Sequence, residues 1–158
     1  MTHDLRQSAV FFDKFAKALA DDVNAFVGSI VTSIQYEVVR RTPIDTGRAR
    51  SNFVVRLNSP FRLTYKAYSP YRSRYRGGSG GTMGEAANLQ QAVAQAQGVM
   101  ARRKPDDTVY ITNNLPYIAR LNDGYSKLAP RNYVRAGVAA GVASAARSFK
   151  FPNISRVL

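Results

Sequence analysis

With 158 residues, 45% of them apolar and 21% charged, the chain has the size and composition of one folded domain built on a hydrophobic core. Cysteine is absent and the sole histidine is His3, which removes disulfides and thiolate metal sites and leaves Cys-His and Ser-His-Asp catalysis without their parts. A net charge of +13 points instead to a polyanionic partner, whether nucleic acid, an anionic membrane or an acidic protein surface.

The segment Met1 to Arg6 places an acid before any apolar run and is not expected to be a secretory signal. Residues 9–41 read as one long helix. Phe12, Phe15, Leu19, Val23, Phe26, Ile30 and Ile34 recur at spacings of three and four, with Ser8 as the expected N-cap. Thr42-Pro43 ends it, because proline excludes the α conformation from the residue before it. A rod of this length exceeds what so small a domain needs, so part of its stripe is expected on another element or another subunit. The longest apolar run, Ala25 to Ile34, falls short of the ~20 residues that span a bilayer, and a soluble protein with no membrane partner is expected.

Gly47 permits a tight turn, after which Ser51 to Asn58 reads as a strand with Phe53, Val55 and Leu57 on one face. Phe61 to Tyr68 is expected to return as a second strand, with Pro60 in the turn. Residues 69–81 combine Tyr71, Arg72, Arg74, Tyr75 and Arg76 with a Gly/Ser run and are expected as a mobile basic loop. Thr82-Met83-Gly84-Glu85 has the form of a capping box. The helix it opens runs to about Arg102, with Leu89, Val93, Ala96 and Met100 on one side and glutamines on the other.

Thr108 to Thr112 reads as a short strand on which Val109 and Ile111 share a face. Pro116 suits the first turn of a short helix and Gly124 its C′ position. Pro130 opens the last helix, Arg131 to Phe149, whose Gly137, Ala140, Gly141 and Ser144 form a bare side fitted to the first helix. Residues 150–158 read as a tail. The fold expected over residues 1–158 is a single α+β domain. A long N-terminal helix and a C-terminal helix pack on a small, mostly antiparallel sheet, with a loop and inserted helix at 69–104.

Asp45-Thr46-Gly47 is the triplet of aspartic proteases, but that chemistry needs two aspartates sharing a proton on strand loops. Here the triplet occurs once, follows a helix and is flanked by arginines, with no second aspartate beside it in sequence. The local reading is that Asp45 caps or braces the turn, Thr46 bonds nearby and Gly47 takes a dihedral closed to other residues. Asp106 and Asp107 are adjacent and point apart, and Asp123 is the sole acid after them, so no metal site is expected. Tyrosines at 65, 68, 71 and 75 alternate with basic residues. Tyr68, Tyr71, Arg72, Arg74, Tyr75 and Arg76 could stack on and neutralise single-stranded nucleic acid, or form a protein interface or line a DNA channel, which is favoured here over dedicated readout.

Two stretches stand at equivalent helix-to-strand and strand-to-helix junctions: Pro43-Ile44-Asp45-Thr46-Gly47-Arg48-Ala49-Arg50, and Asn113 to Gly124. In order and spacing, over about residues 10–148, the sequence resembles the neck or tail-completion proteins of long-tailed bacteriophages, including minor tail protein Z-like and head–tail joining proteins. Matching positions are Pro43, Asp45, Thr46, Gly47, Arg48 and Arg50, then Asn113, Pro116, Tyr117, Ile118, Leu121 and Gly124. Asn122-Asp123-Gly124 departs from the family's E-x-G, and the insert at 69–104 is longer and more helical than the family's. The resemblance implies a structural virion protein at the head–tail junction, assembled in the host cytoplasm as a homo-oligomeric ring. Its partners would be head-completion or connector proteins, the tail terminator, the tail tube and packaged double-stranded DNA in the lumen. It implies no enzymatic activity, no cofactor and no metal. A basic, non-sequence-specific nucleic-acid-binding protein is the alternative.

Overall fold

Helical periodicity from the first described residue onward shapes the molecule. The computed structural model describes residues 5–67, 82–127 and 130–157, with 82–85 described by backbone alone. Helix α1 spans Leu5–Arg41, 37 residues and so about 55 Å at ~1.5 Å per residue. Ser8 therefore lies inside α1 and is not its N-cap, because Leu5, Arg6 and Gln7 are good helix formers that extend it. The C-terminus falls where Thr42-Pro43 requires. Thr42 N donates to Val38 O at 3.1 Å and Thr42 Oγ1 donates to the same carbonyl at 2.8 Å.

The strand expected over 51–58 is shorter. Gly47 turns through the left-handed region at φ 79°, and Arg48–Ser51 coil into a helical turn, α2, before β1 begins at Val54–Leu57. Ser51 belongs to that turn, its N–H bonded to Gly47 O at 3.2 Å. The partner of β1 is β2, Val109–Thr112, antiparallel with Val54 opposite Thr112 and Leu57 opposite Val109.

The second strand expected over 61–68 does not form across the described residues 61–67. Side chains occupy its backbone in place of a ladder. Asn52 donates to Tyr65 O at 3.0 Å and accepts from Tyr65 N at 2.7 Å, and Asn114 Nδ2 donates to the Phe61 carbonyl. The mobile loop expected at 69–81 lies outside the described residues, as do the side chains of the capping box.

Helix α3, Thr82–Met100, buries Asn88, Ala92 and Ala96. It stops before Arg102 in tighter bonds, Arg102 N to Val99 O at 3.1 Å and Arg103 N to Met100 O at 3.1 Å. A short helix, α4, Ile118–Arg120, leads into a wide turn over Leu121–Tyr125. Helix α5, Tyr133–Ser148, starts two residues later than expected because Asn132 takes a left-handed φ of 58°. It lies along α1 rather than on the sheet. A Cβ at Gly137 would stand 2.8 Å from Val38 Cα, and one at Gly141 2.5 Å from Ile34 Cα. The bare side expected of this helix is thus where two backbones meet.

The core runs through this contact. Val38, Val39, Phe53, Ala92 and Tyr133 form one buried cluster, and Val31, Val55 and Ala96 a second. The segment expected as a tail also packs down. A last turn, α6, Ile154–Val157, returns to α1, where the buried Asp22 carboxylate accepts Asn153 N, Asn153 Nδ2 and Ile154 N at 3.1, 2.7 and 2.9 Å. Phe26 meets Phe149 and Phe151 beside it, at centroid distances of 5.0 and 5.9 Å. The chain is thus a mixed α and β fold with a long N-terminal helix and a small antiparallel sheet.

Candidate functional site: the junction of two sequence segments

Arg50 shows how the first segment is anchored. Its guanidinium is buried and donates from Nε to Thr42 O and from Nη2 to Arg40 O, each at 2.9 Å. The last carbonyls of α1 have no helical partner and sit at the negative end of its dipole, so a fixed cation there satisfies both needs. Arg40 and Arg41 of the same turn hold Glu37 instead.

The second segment closes on the first through Asn113. Its Nδ2 donates to Ala49 O at 2.9 Å, while its Oδ1 accepts from Leu115 N at 3.2 Å and turns the chain toward α4. Pro116 lies in the turn just before Ile118, and Ile118 N bonds Leu115 O at 3.0 Å. Gly124 has φ 89°, and a Cβ there would collide with the Arg131 side chain. Positive φ and a close approach both demand glycine at this position.

Between the segments lies a pocket of about 260 Å³, lined by Pro43, Ile44, Thr46 and Ala49 from one and by Tyr117 and Leu121 from the other. Tyr117 stands at its rim. Partial burial raises its phenol, Arg48 opposes that shift and Asp45 adds to it. Asp45 and Thr46 are exposed, and no hydrogen bond of either side chain forms among the described residues. The cap or brace expected of Asp45 is therefore absent: Gly47 bends the chain by itself, and the carboxylate faces outward at the pocket mouth. What converges here is a greasy floor with one carboxylate, one phenol and hydroxyls at its edge. The described residues hold no cluster of metal-ligating side chains.

The six residues from Tyr68 to Arg76 expected as an interface or channel lining lie outside the described residues. Several structural side chains escape sequence reading. Gln35 and Gln95 look like solvent-facing helix residues but bond the main chain of Phe53 and Val55. Asp22 looks like a surface acid and is fully buried. The interruption of the apolar stripe at these positions is the only sequence signal they leave.

Comparison with family models, curated proteins and solved structures finds no match to this chain. No helix among the described residues is long and apolar enough to cross a membrane.

Proposed function

We propose that this chain is a structural protein of a phage neck, a ring-forming subunit that completes the tail and joins it to the head connector around the DNA. The observation that carries the proposal is the union of the two segments on which the resemblance rests. They are separated by more than 60 residues, yet Asn113 bonds Ala49 and both segments line one pocket. Residues that form one structural unit travel together for a physical reason, whereas a chance match of short motifs has none. The inventory fits a building block. Polar side chains in the interior serve backbone carbonyls and amides, and the net charge of +13 suits a wall around DNA or an acidic neighbour.

The experiment is replacement of Arg72, Arg74 and Arg76 together by Gln in a complementation assay. Loss of head-to-tail joining with unchanged DNA affinity is the expected result and assigns these arginines to a protein neighbour. Should they meet phosphate instead, affinity is sequence-independent, and the slope of log K against log salt flattens by about 2.7 for three lost contacts. Fully infectious particles with unaltered DNA binding would remove both versions. The nucleic-acid-binding alternative is favoured if steep salt dependence appears without any effect on assembly.

A further inference from the structure

The first half of α1 leaves one apolar face open. Leu5, Ala9, Phe12, Ala16, Leu19 and Val23 are all exposed, Leu5 by 83% and Phe12 by 65%. Their spacing of four, three, four, three and four has a period of 3.5 residues, that of a seam running along another helix. After Val23 the stripe turns into the protein, where Val27 packs against the cluster of Val31, Val55 and Ala96. Ala16, Leu19, Ala20 and Val23 also floor an apolar groove of about 360 Å³, walled by Pro105 and Arg103. Arg103 is fixed there by bonds to Asn24 Oδ1 and to Pro105 O.

We propose that this seam pairs with the same seam of a second copy, the two α1 helices antiparallel about a two-fold axis level with Lys14. In that register Phe12 meets Ala16 of the partner subunit, Leu19 meets Ala9 of the partner subunit and Leu5 meets Val23 of the partner subunit. Symmetry repeats each layer. Every layer then seats a larger side chain on a smaller one, as close packing requires. Parallel helices would set Phe12 on Phe12 and Ala16 on Ala16, so that crowding alternates with voids. A two-fold contact must be self-complementary, and this seam supplies both the knobs and, in reverse order, their holes. A seam shaped for a foreign helix is under no such constraint. Charge permits the pairing here. Residues 5–24 carry Arg6, Lys14 and Lys17 against Asp13, Asp21 and Asp22, no net charge on a chain of +13. The basic turn at Arg40 and Arg41 lies ~40 Å along the helix from the axis, several Debye lengths away at physiological salt. A seam ~28 Å long on helices ~10–12 Å across removes on the order of 1,000 Å² from water over both copies, the lower bound for a specific contact. The dimer is therefore concentration-dependent. It does not rest on the neck reading, since a two-fold contact closes a dimer whereas a ring needs head-to-tail contacts.

Sedimentation of the full chain is expected to show a monomer–dimer equilibrium. Phe12→Ala leaves facing voids and Ala16→Phe crowds Phe12 of the partner subunit, each in two layers by symmetry. Either change alone should weaken dimerisation ~10-fold or more. An equimolar mixture of F12A and A16F restores both layers in the mixed dimer and should associate about as tightly as the unaltered chain. Both side chains are exposed, so the thermal midpoint of dilute monomer should hardly move. Because the chain has no cysteine, A9C and L19C report orientation: combined they are expected to form a mixed disulfide, and alone little. Like-with-like cross-linking at either position would mean parallel helices and overturn the proposal. A monomer at every concentration would overturn it too. So would a mixture of F12A and A16F no tighter than the separate variants, which would assign the seam to a different partner. A marked drop in the midpoint of dilute F12A would show that the chain's own residues cover the seam, which also overturns it.

Discussion

Arg50 and Asp45 sit five residues apart in one short segment, and the structure gives them opposite standing. Arg50 is buried on the open carbonyls of α1, so Arg50→Ala leaves those acceptors dry. A loss of about 1.5–3 kcal/mol is expected, read as a lower urea midpoint with unchanged slope. Arg50→Lys regains at most one of the two bonds, because an ammonium lacks the guanidinium fork. Asp45→Asn, with no bond to lose, should shift stability by less than ~0.5 kcal/mol. Tyr133 yields a pH prediction. It is fully buried, and burial pushes its phenol up to about 12. Thr42 is near enough to favour the phenolate, yet the Tyr133 hydroxyl has no partner of good geometry, and Thr42 Oγ1 is directed to Val38 O at 2.8 Å. An unfolded tyrosine ionises near ~10. Below that value both states keep the proton and stability is unaffected. From about pH 10 to 12 the unfolded chain alone gives it up, so stability falls. Tyr133→Phe should remove most of that alkaline loss and leave neutral-pH stability equal or higher, with urea midpoints at pH ~9 and ~11.5 as the measurement. Tyr117, also raised, acts in the same direction.

Helix packing makes the second scale testable with paired glycines. Gly141 faces α1, where an added Cβ would meet Ile34 Cα at 2.5 Å. Gly141→Ala must push two backbones apart and should cost ~1–3 kcal/mol. Gly98, inside α3, has nothing within 4 Å of the same added atom. Gly98→Ala should stabilise by ~0.5–1 kcal/mol through the unfolded chain's lost freedom. Equal effects at the two positions would show that α1 and α5 pack more loosely than these distances imply. The bare side of α5 is enough to foretell this contact, since such a surface needs a close neighbour. The α6 turn has no such signal: its anchor is a carboxylate on α1 more than 130 residues earlier.

At the scale of the molecule, charge dominates. A net +13 on 158 residues repels itself, and the positive field is nowhere offset after Asp123. The thermal midpoint should therefore rise as sodium chloride screens the repulsion, while any DNA affinity falls over the same range. A midpoint that drops with salt would mean that ion pairs outweigh repulsion. The pairs of Arg40 and Arg41 share the single acid Glu37, which is little against a net +13, so that outcome is not expected.

Features resting on local rules were legible without the fold. Proline ended α1 at Arg41, the left-handed turns fell on Gly47 and Gly124, the three-and-four spacing marked α1 as amphipathic, and small residues gave α5 its bare side. Each depends on dihedral limits or side-chain period within a few residues. The strand partner of β1, the inward turn of Gln35 and Gln95, the burial of Asp22 and the shared pocket of the two segments were decided by tertiary structure. In each of these a backbone or carboxylate group removed from water must find its hydrogen-bond partner, and the group that arrives can lie anywhere in the chain. Asn52 and Asn114 hold residues 61–65 away from the sheet for that reason, leaving β1 to take Val109–Thr112 from some 50 residues downstream. Local sequence sets which segments can be helix or strand, and the long-range satisfaction of buried polar groups selects which of them meet.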